Sequence, residues 1–273
     1  MGGKSNVALG EYVEVERELP ETYLVIFGSG WSYPGDPNNL GEALERVATA
    51  RYKINTSAHP DEVNVLTYCT TDVEFFEAIN LCVNIKRFDV YCHGFAHGLN
   101  LGGFKGKRTI GGIEMNSSDI DWERKEQDSG RDLRRVDVYE KYYFQSVETN
   151  ELTKMNSSVF NDSVEVYFWG CNIGGQLDNN GNHILGYNDG KAIEGPKDSF
   201  AQHFAQQIGK GTIYALVGKG VKGAGSMCKI DEKGNNYYED GEMLPANIVL
   251  TYKLNKKPSS VLNAMDYMKK FPL

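Results

Sequence analysis

Two stretches bring a reactive side chain to the end of an apolar run and follow it with turn-forming residues: Phe88-Asp-Val-Tyr-Cys-His93-Gly94 and Val164-Glu-Val-Tyr-Phe-Trp-Gly-Cys171-Asn172. A thiol attacks a carbonyl carbon as its thiolate, and an imidazole close in space can take the thiol proton. Gly94 lets the backbone turn tightly beside His93, so its N–H can face a developing oxyanion. A plainer reading keeps both residues as satisfied side chains at the ends of buried strands, since cysteine is among the most buried residue types. His97 competes with His93 as the base. His93 is favoured because it follows the strand directly, whereas His97 sits in the loop that runs on to Leu101. Cys92, His93, His97 and Cys171 could also be read as a zinc set, but the helical His-Glu-x-x-His and the paired Cys-x-x-Cys are both missing, so neither a metal nor a cofactor is expected.

The elements that must position these residues can be read from hydropathy. Tyr23 to Phe27, Val63 to Tyr68, Phe88 to Cys92, Val164 to Trp169 and Thr212 to Val217 have the length and composition of buried strands. Helical patterns lie between them: Leu40 to Tyr52, Asp72 to Val83 capped by Thr71 or Asp72, and Ser199 to Ile208 ending at Gly209. Alternating strands and helices, with strands apolar on both faces, predict an α/β fold with a mainly parallel sheet between helical layers. Ligands of such sheets bind beyond the carboxyl ends of the strands, and both reactive runs end on that rim.

Gly103 to Ser163 interrupts the rhythm and reads as a helical insertion with a mobile loop around Gln127 to Arg131. After Gly218 the chain becomes Gly-rich and then acidic; Ile248 to Tyr252 reads as an edge strand and Ser259 to Lys270 as a closing helix. The expected organisation is a single domain over 1–273, with a core of about 20–225, an insertion of about 103–163 and a C-terminal extension of about 226–273. Gly28-Ser-Gly30 lacks the rest of a dinucleotide fingerprint or P-loop and reads as a tight turn. The segments at Asp178, Tyr187 and Asp231 read as Asx/Gly turns, without the spacing of a calcium loop.

The chain has 273 residues, 29 Lys+Arg against 37 Asp+Glu and a formal net charge of −8, which argues against nucleic acid as a partner. No run approaches the roughly 18 apolar residues of a membrane helix, and Met1 to Leu19 lacks the apolar core of a signal peptide. No membrane partner is expected. Five cysteines at irregular spacing argue for reduced thiols rather than a disulfide framework.

Val90-Tyr-Cys-His-Gly with Leu99-Asn-Leu-Gly-Gly after it, and Phe168-Trp-Gly-Cys-Asn followed by Ser199-Phe-Ala-Gln-His-Phe-Ala-Gln-Gln-Ile-Gly, resemble the caspase-like cysteine peptidases. That group includes legumain, gingipain, clostripain and CHAT-type proteases. The second block also resembles caspase-like modules of bacterial surface proteins and polymorphic toxins. The resemblance spans Tyr23 to Gly220 and implies a caspase-like three-layer α-β-α sandwich. It implies His93 as general base and acid, Cys171 as nucleophile, and the N–H groups of Gly94 and Cys171 as the oxyanion hole. It also implies a specificity pocket between the residues before Cys171, namely Trp169 and Gly170, and the segment starting at Gly218 and Lys219. No arginine-based pocket is recognisable, so caspase-type aspartate specificity is not carried over. The loop Gln176 to Lys197 would border the substrate groove and is a place where a nick or an ordering step could control activity.

The resulting expectation is a cysteine endopeptidase acting on protein or peptide substrates. Its setting would be a bacterial effector or toxin with an inhibitor, immunity or delivery partner, either cytoplasmic or secreted without a signal peptide into a target cell. Two alternatives stay open: a non-catalytic binding module, and a deamidase or transglutaminase-like enzyme using the same dyad.

Overall fold

The structure is a computed structural model and describes residues 19–28, 40–102, 107–110, 113–116, 146–175, 186–188, 191–193, 195–217, 229–230, 236–237, 241–243 and 264–272. Strands β1 (Thr22–Phe27), β2 (Val63–Tyr68) and β3 (Ile85–Tyr91) alternate with helices α1 (Leu40–Ala58) and α2 (Asp72–Asn80). Short strands β4 (His93–Phe95) and β5 (Gly98–Asn100) follow, then the hairpin β6 (Lys107–Ile110) and β7 (Ile113–Asn116), and β8 (Ser146–Glu148). Strand β9 (Phe160–Phe168), a hairpin β10 (Gly186–Asn188) and β11 (Lys191–Ile193), helix α3 (Phe200–Ile208) and β12 (Thr212–Leu216) come next. The small strands β13 (Lys229–Ile230) and β14 (Asn236–Tyr237), and finally β15 (Met268–Phe271), complete the described elements.

The main sheet has six strands in the order β15-β12-β9-β3-β1-β2, parallel throughout except for β15, which runs antiparallel to β12. The fold is therefore α/β, a mainly parallel sheet between helical layers. On one face α2 and α3 bury Phe75, Phe76, Ile79, Phe200 and Phe204 against Phe88, Val90, Val166 and Phe168. Phe88 is the hub of that layer, with its ring within 6.4 Å of the centroids of Phe75, Phe160, Phe168 and Phe204. On the other face α1 packs Leu44, Val47 and Ala48 near Val25, Tyr91, Tyr167 and Trp169.

Local chemistry accounts for the helix ends. Thr71 accepts a hydrogen bond from the Glu74 N–H and caps α2, while α3 begins at the Ser199 cap and stops at Gly209, whose φ of 64° needs the left-handed freedom of glycine. Helix α1 runs a turn and a half beyond the expected Tyr52, carried by Asn55, which is buried, and by continuous contact with β1, β2 and β3. Among the described residues no helix is long and apolar enough to cross a membrane.

The structure corrects several expectations. The strands are not apolar on both faces, because the α1 side of the sheet buries Asp89 of β3 with the half-buried Arg87 beside it. Within 103–163 the described residues are strands and 3-10 turns (Thr149–Lys154, Ser157–Val159), and the stretches expected to be helical, from Trp122 and from Val136, fall almost wholly outside the described residues. Residues 117–145, including the loop expected around Gln127 to Arg131, lie outside the described residues. The closing helix expected over Ser259 to Lys270 is a 3-10 turn (Ala264–Tyr267) followed by β15. Pairing with β12 overrides local propensity there, burying Phe271 and leaving Lys269 and Lys270 exposed. Ile248 to Tyr252 lies outside the described residues. Tyr187 and Asn188, which open the expected turn Tyr187-Asn-Asp-Gly, belong to β10, which pairs with β11.

Candidate active site

Strands β3 and β9 are hydrogen-bonded neighbours, with Val90 opposite Phe168 and the Trp169 N–H donating to the Val90 carbonyl at 2.9 Å. The two reactive runs therefore leave the sheet side by side on its carboxyl rim. The chain after β3 turns into β4, where His93 pairs with Asn100 of β5, and β5 pairs in turn with β8. This small sheet fixes the position of His93. His97 falls on the β4–β5 turn, and its carbonyl accepts the Thr149 N–H at 3.3 Å.

The two loops meet through glycine backbones. A Cβ on Gly94 would lie 2.6 Å from the Cys171 carbonyl oxygen and would collide with the Ile173 side chain. A Cβ on Gly170 would lie 2.8 Å from the Cys92 carbonyl oxygen and 3.2 Å from the Gly94 nitrogen. Only glycines permit so close a seam. Past Cys171 the chain turns at Asn172, whose φ of 63° is a left-handed value that asparagine tolerates better than most residues, and Gly174 donates to the Leu216 carbonyl at 3.1 Å.

Helix α3 clasps both loops. Three N–H groups behind its cap lack intrahelical partners, and all three are used: Phe200 donates to Ala96 at 2.8 Å, Ala201 to Ile173 at 3.2 Å and Gln202 to the Ser199 Oγ at 3.3 Å. The amino end of this helix thus locks the His93 and Cys171 loops together and is not left open for an anion.

Cys171 is buried at the rim. His93 keeps part of its surface open, but its Nε2 is sealed from solvent and has no hydrogen-bond partner. Burial pushes its imidazole down to about 4, so the ring is neutral at physiological pH and can accept a proton. Cys92 points into the α2–α3 core and burial pushes its thiol up. Cys171 belongs to the α1-side cluster. Among the described residues no three His, Cys, Asp or Glu side chains gather as a metal site.

Beneath the rim lies a polar network that sequence reasoning missed. Asp89 is fully buried; its carboxylate accepts from Arg87 Nε at 2.7 Å and Nη2 at 3.1 Å and from the Trp169 indole at 2.9 Å, with Arg51 Nε 3.9 Å away. Burial works to lower the Arg87 guanidinium, and the Asp89 carboxylate outweighs it and holds the group above its ordinary value. Arg87 also lies 4.1 Å over the Tyr167 ring, and the Tyr91 hydroxyl donates to the Gly241 carbonyl. The missed signal was a lone carboxylate inside the apolar run Phe88 to Cys92.

Trp169, expected at the substrate pocket, stacks between Tyr91 and Tyr167 at 5.9 and 5.8 Å, fully buried below the rim, so its side chain is committed to the core. Gly170 forms the seam itself. Gly218 and Lys219 lie outside the described residues, and with them the pocket segment.

Two buried groups make opposing contributions to stability in acid. The folded His93 refuses, between pH 6.5 and about 4, a proton that the unfolded chain binds, so its contribution falls by at most about 3 kcal/mol as pH drops through that window. Asp72 moves the other way, raised from 3.8 to about 6 by burial and then by the charge of Glu151. The folded state holds a proton there that the unfolded chain releases, so Asp72 adds stability, on the order of 3 kcal/mol, as pH falls from about 6 to 3.8. Urea titrations across pH 4–7 are expected to show Asp72→Asn losing stability in acid relative to wild type, and His93→Gln gaining it. Parallel curves for all three proteins would refute both assignments.

The arrangement is thus a parallel α/β sheet with a neutral imidazole and a thiol on adjacent strand ends, clasped by one helix. Comparison with family models, with curated proteins and with solved structures finds no match to this chain.

Proposed function

We propose that the chain is a cysteine endopeptidase of the caspase-like kind, with Cys171 as nucleophile and His93 as general base and acid. The observation that carries this reading is the seam between the His93-Gly94 and Gly170-Cys171 loops at the carboxyl ends of neighbouring parallel strands. In the reaction, His93 takes the Cys171 proton as sulfur attacks the scissile carbonyl carbon. The N–H groups of Gly94 and Cys171 receive the oxyanion. The tetrahedral adduct collapses to a thioester as His93 returns the proton to the leaving amine, and water activated by His93 then hydrolyses the thioester to the acid and the free thiol. The setting that goes with this reading is a protein acting in the cytoplasm or delivered into a target cell, restrained by an inhibitor or immunity partner.

The test is a search for new peptide termini in a denatured proteome treated with wild type, Cys171→Ala, His93→Ala or His97→Ala. Termini that vanish in the Cys171 and His93 variants support the dyad, and loss only with His97→Ala among the histidine variants moves the base. Ammonia release without new termini favours the deamidase reading. Neither product, from folded protein, leaves the binding module. Because His93 is neutral down to about pH 4, the acid limb of kcat/KM is expected nearer that value than the ordinary 6.5. An acid limb at 6.5 would contradict a buried His93 base.

A further inference from the structure

The two edges of the main sheet differ in kind. Strand β15 is short, exposes Lys269 and Lys270 and runs into Pro272, features that blunt an edge against further pairing. Strand β2, Val-Asn-Val-Leu-Thr-Tyr, has no charge and no proline, pairs with β1 over six residues without a bulge, and has no strand on its outer side among the described residues. Large hydrophobic side chains stand exposed at both ends of β2. Val63 and Tyr68 are on β2, Ile54 is on α1 beside it, Leu81 (85% exposed) and Val83 follow α2, and Leu19 (64%) precedes β1.

The geometry points to the β2 edge as a homodimer interface, in which β2 pairs antiparallel with β2 of a second copy across a twofold axis at Leu66. The hydrogen-bond parity selects this register. Val63 donates to Glu21 and Cys69 to Phe27, so residues 63, 65 and 67 spend their backbone groups on β1 and Asn64, Leu66 and Tyr68 point theirs outward. A twofold perpendicular to the sheet keeps α1 on the same face in both copies, so each residue must face one of its own parity. Leu66 opposite Leu66, with Asn64 opposite Tyr68 on either side, uses all the outward groups in about six hydrogen bonds, two at each facing pair. A shift by two residues loses a pair. This register sets Asp61 and Glu62 opposite the uncharged Thr71 and Thr70. The occupant is a second copy because the edge complements itself in hydrogen bonding and in parity.

The full chain is expected to sediment as a dimer as its concentration rises from about 1 to 100 μM, with the amides of Asn64, Leu66 and Tyr68 gaining protection from hydrogen exchange. Leu66→Lys and Leu66→Glu should each be monomeric, and mixing the two should restore a dimer, because residue 66 faces itself. That rescue does not arise from a folding defect. A wild type that stays monomeric with those amides unprotected, or a dimer that survives Leu66→Lys, overturns the proposal.

Discussion

Cys171→Ala is expected to lower cleavage by about 10⁴- to 10⁶-fold, the scale seen when a nucleophile that works as a unit with its base is removed. The same change should barely touch the fold. Cys171 is buried but small, and trimming its sulfur costs about 1 kcal/mol, or a shift of about 2–4 °C in Tm for a chain of this size. His93→Ala should fall as far in activity if, as proposed, His93 takes the thiol proton. The comparison to make is single-turnover cleavage of one peptide, identified from the proteome digest, beside thermal unfolding of each variant. Residual cleavage within tenfold of wild type by well-folded Cys171→Ala would remove that residue from the chemistry.

Asp89→Ala is expected to cost about 3–5 kcal/mol, because it strands the Arg87 guanidinium without its counter-charge and leaves the Trp169 indole N–H without an acceptor. Against a total stability of about 5–15 kcal/mol that is a large fraction. Asp89→Asn should cost less, since an amide oxygen can still accept one of the bonds. The Asp89 carboxylate joins β3 to β9 directly below the two reactive loops, so its loss should also loosen the seam above. Urea unfolding of the pair checks this, and a loss below 1 kcal/mol for the alanine variant would show the network to be dispensable.

The five main parallel strands were legible because each is written as a short run rich in apolar and β-branched residues. Helix α3 was legible at both ends because a cap and a left-handed glycine are local signals. Strand β15 was not, since four residues containing two lysines carry no period and only pairing with β12 makes them a strand. Three-residue strands such as β4 and β5 escape for the same reason. At the site, the rim position of His93 and Cys171 followed from strand order, but the orientation of Trp169 did not. Strand alternation held the clue: Tyr167 and Trp169 share one parity, as do Asp89 and Tyr91, and that parity faces α1. Arg51 is remote in sequence from Asp89, and no local pattern announces such a contact.

The clasp made by α3 has a consequence for synthesis. Both reactive side chains leave the ribosome before Phe200 and Ala201, whose amides tie their loops together, and before β12, which receives the turn after Cys171. A nascent chain therefore carries the sulfur and the imidazole for a time without the frame that aligns them, and contacts of such long sequence separation form late. On the proposed reading, the dyad is aligned only once nearly the whole sheet has been made.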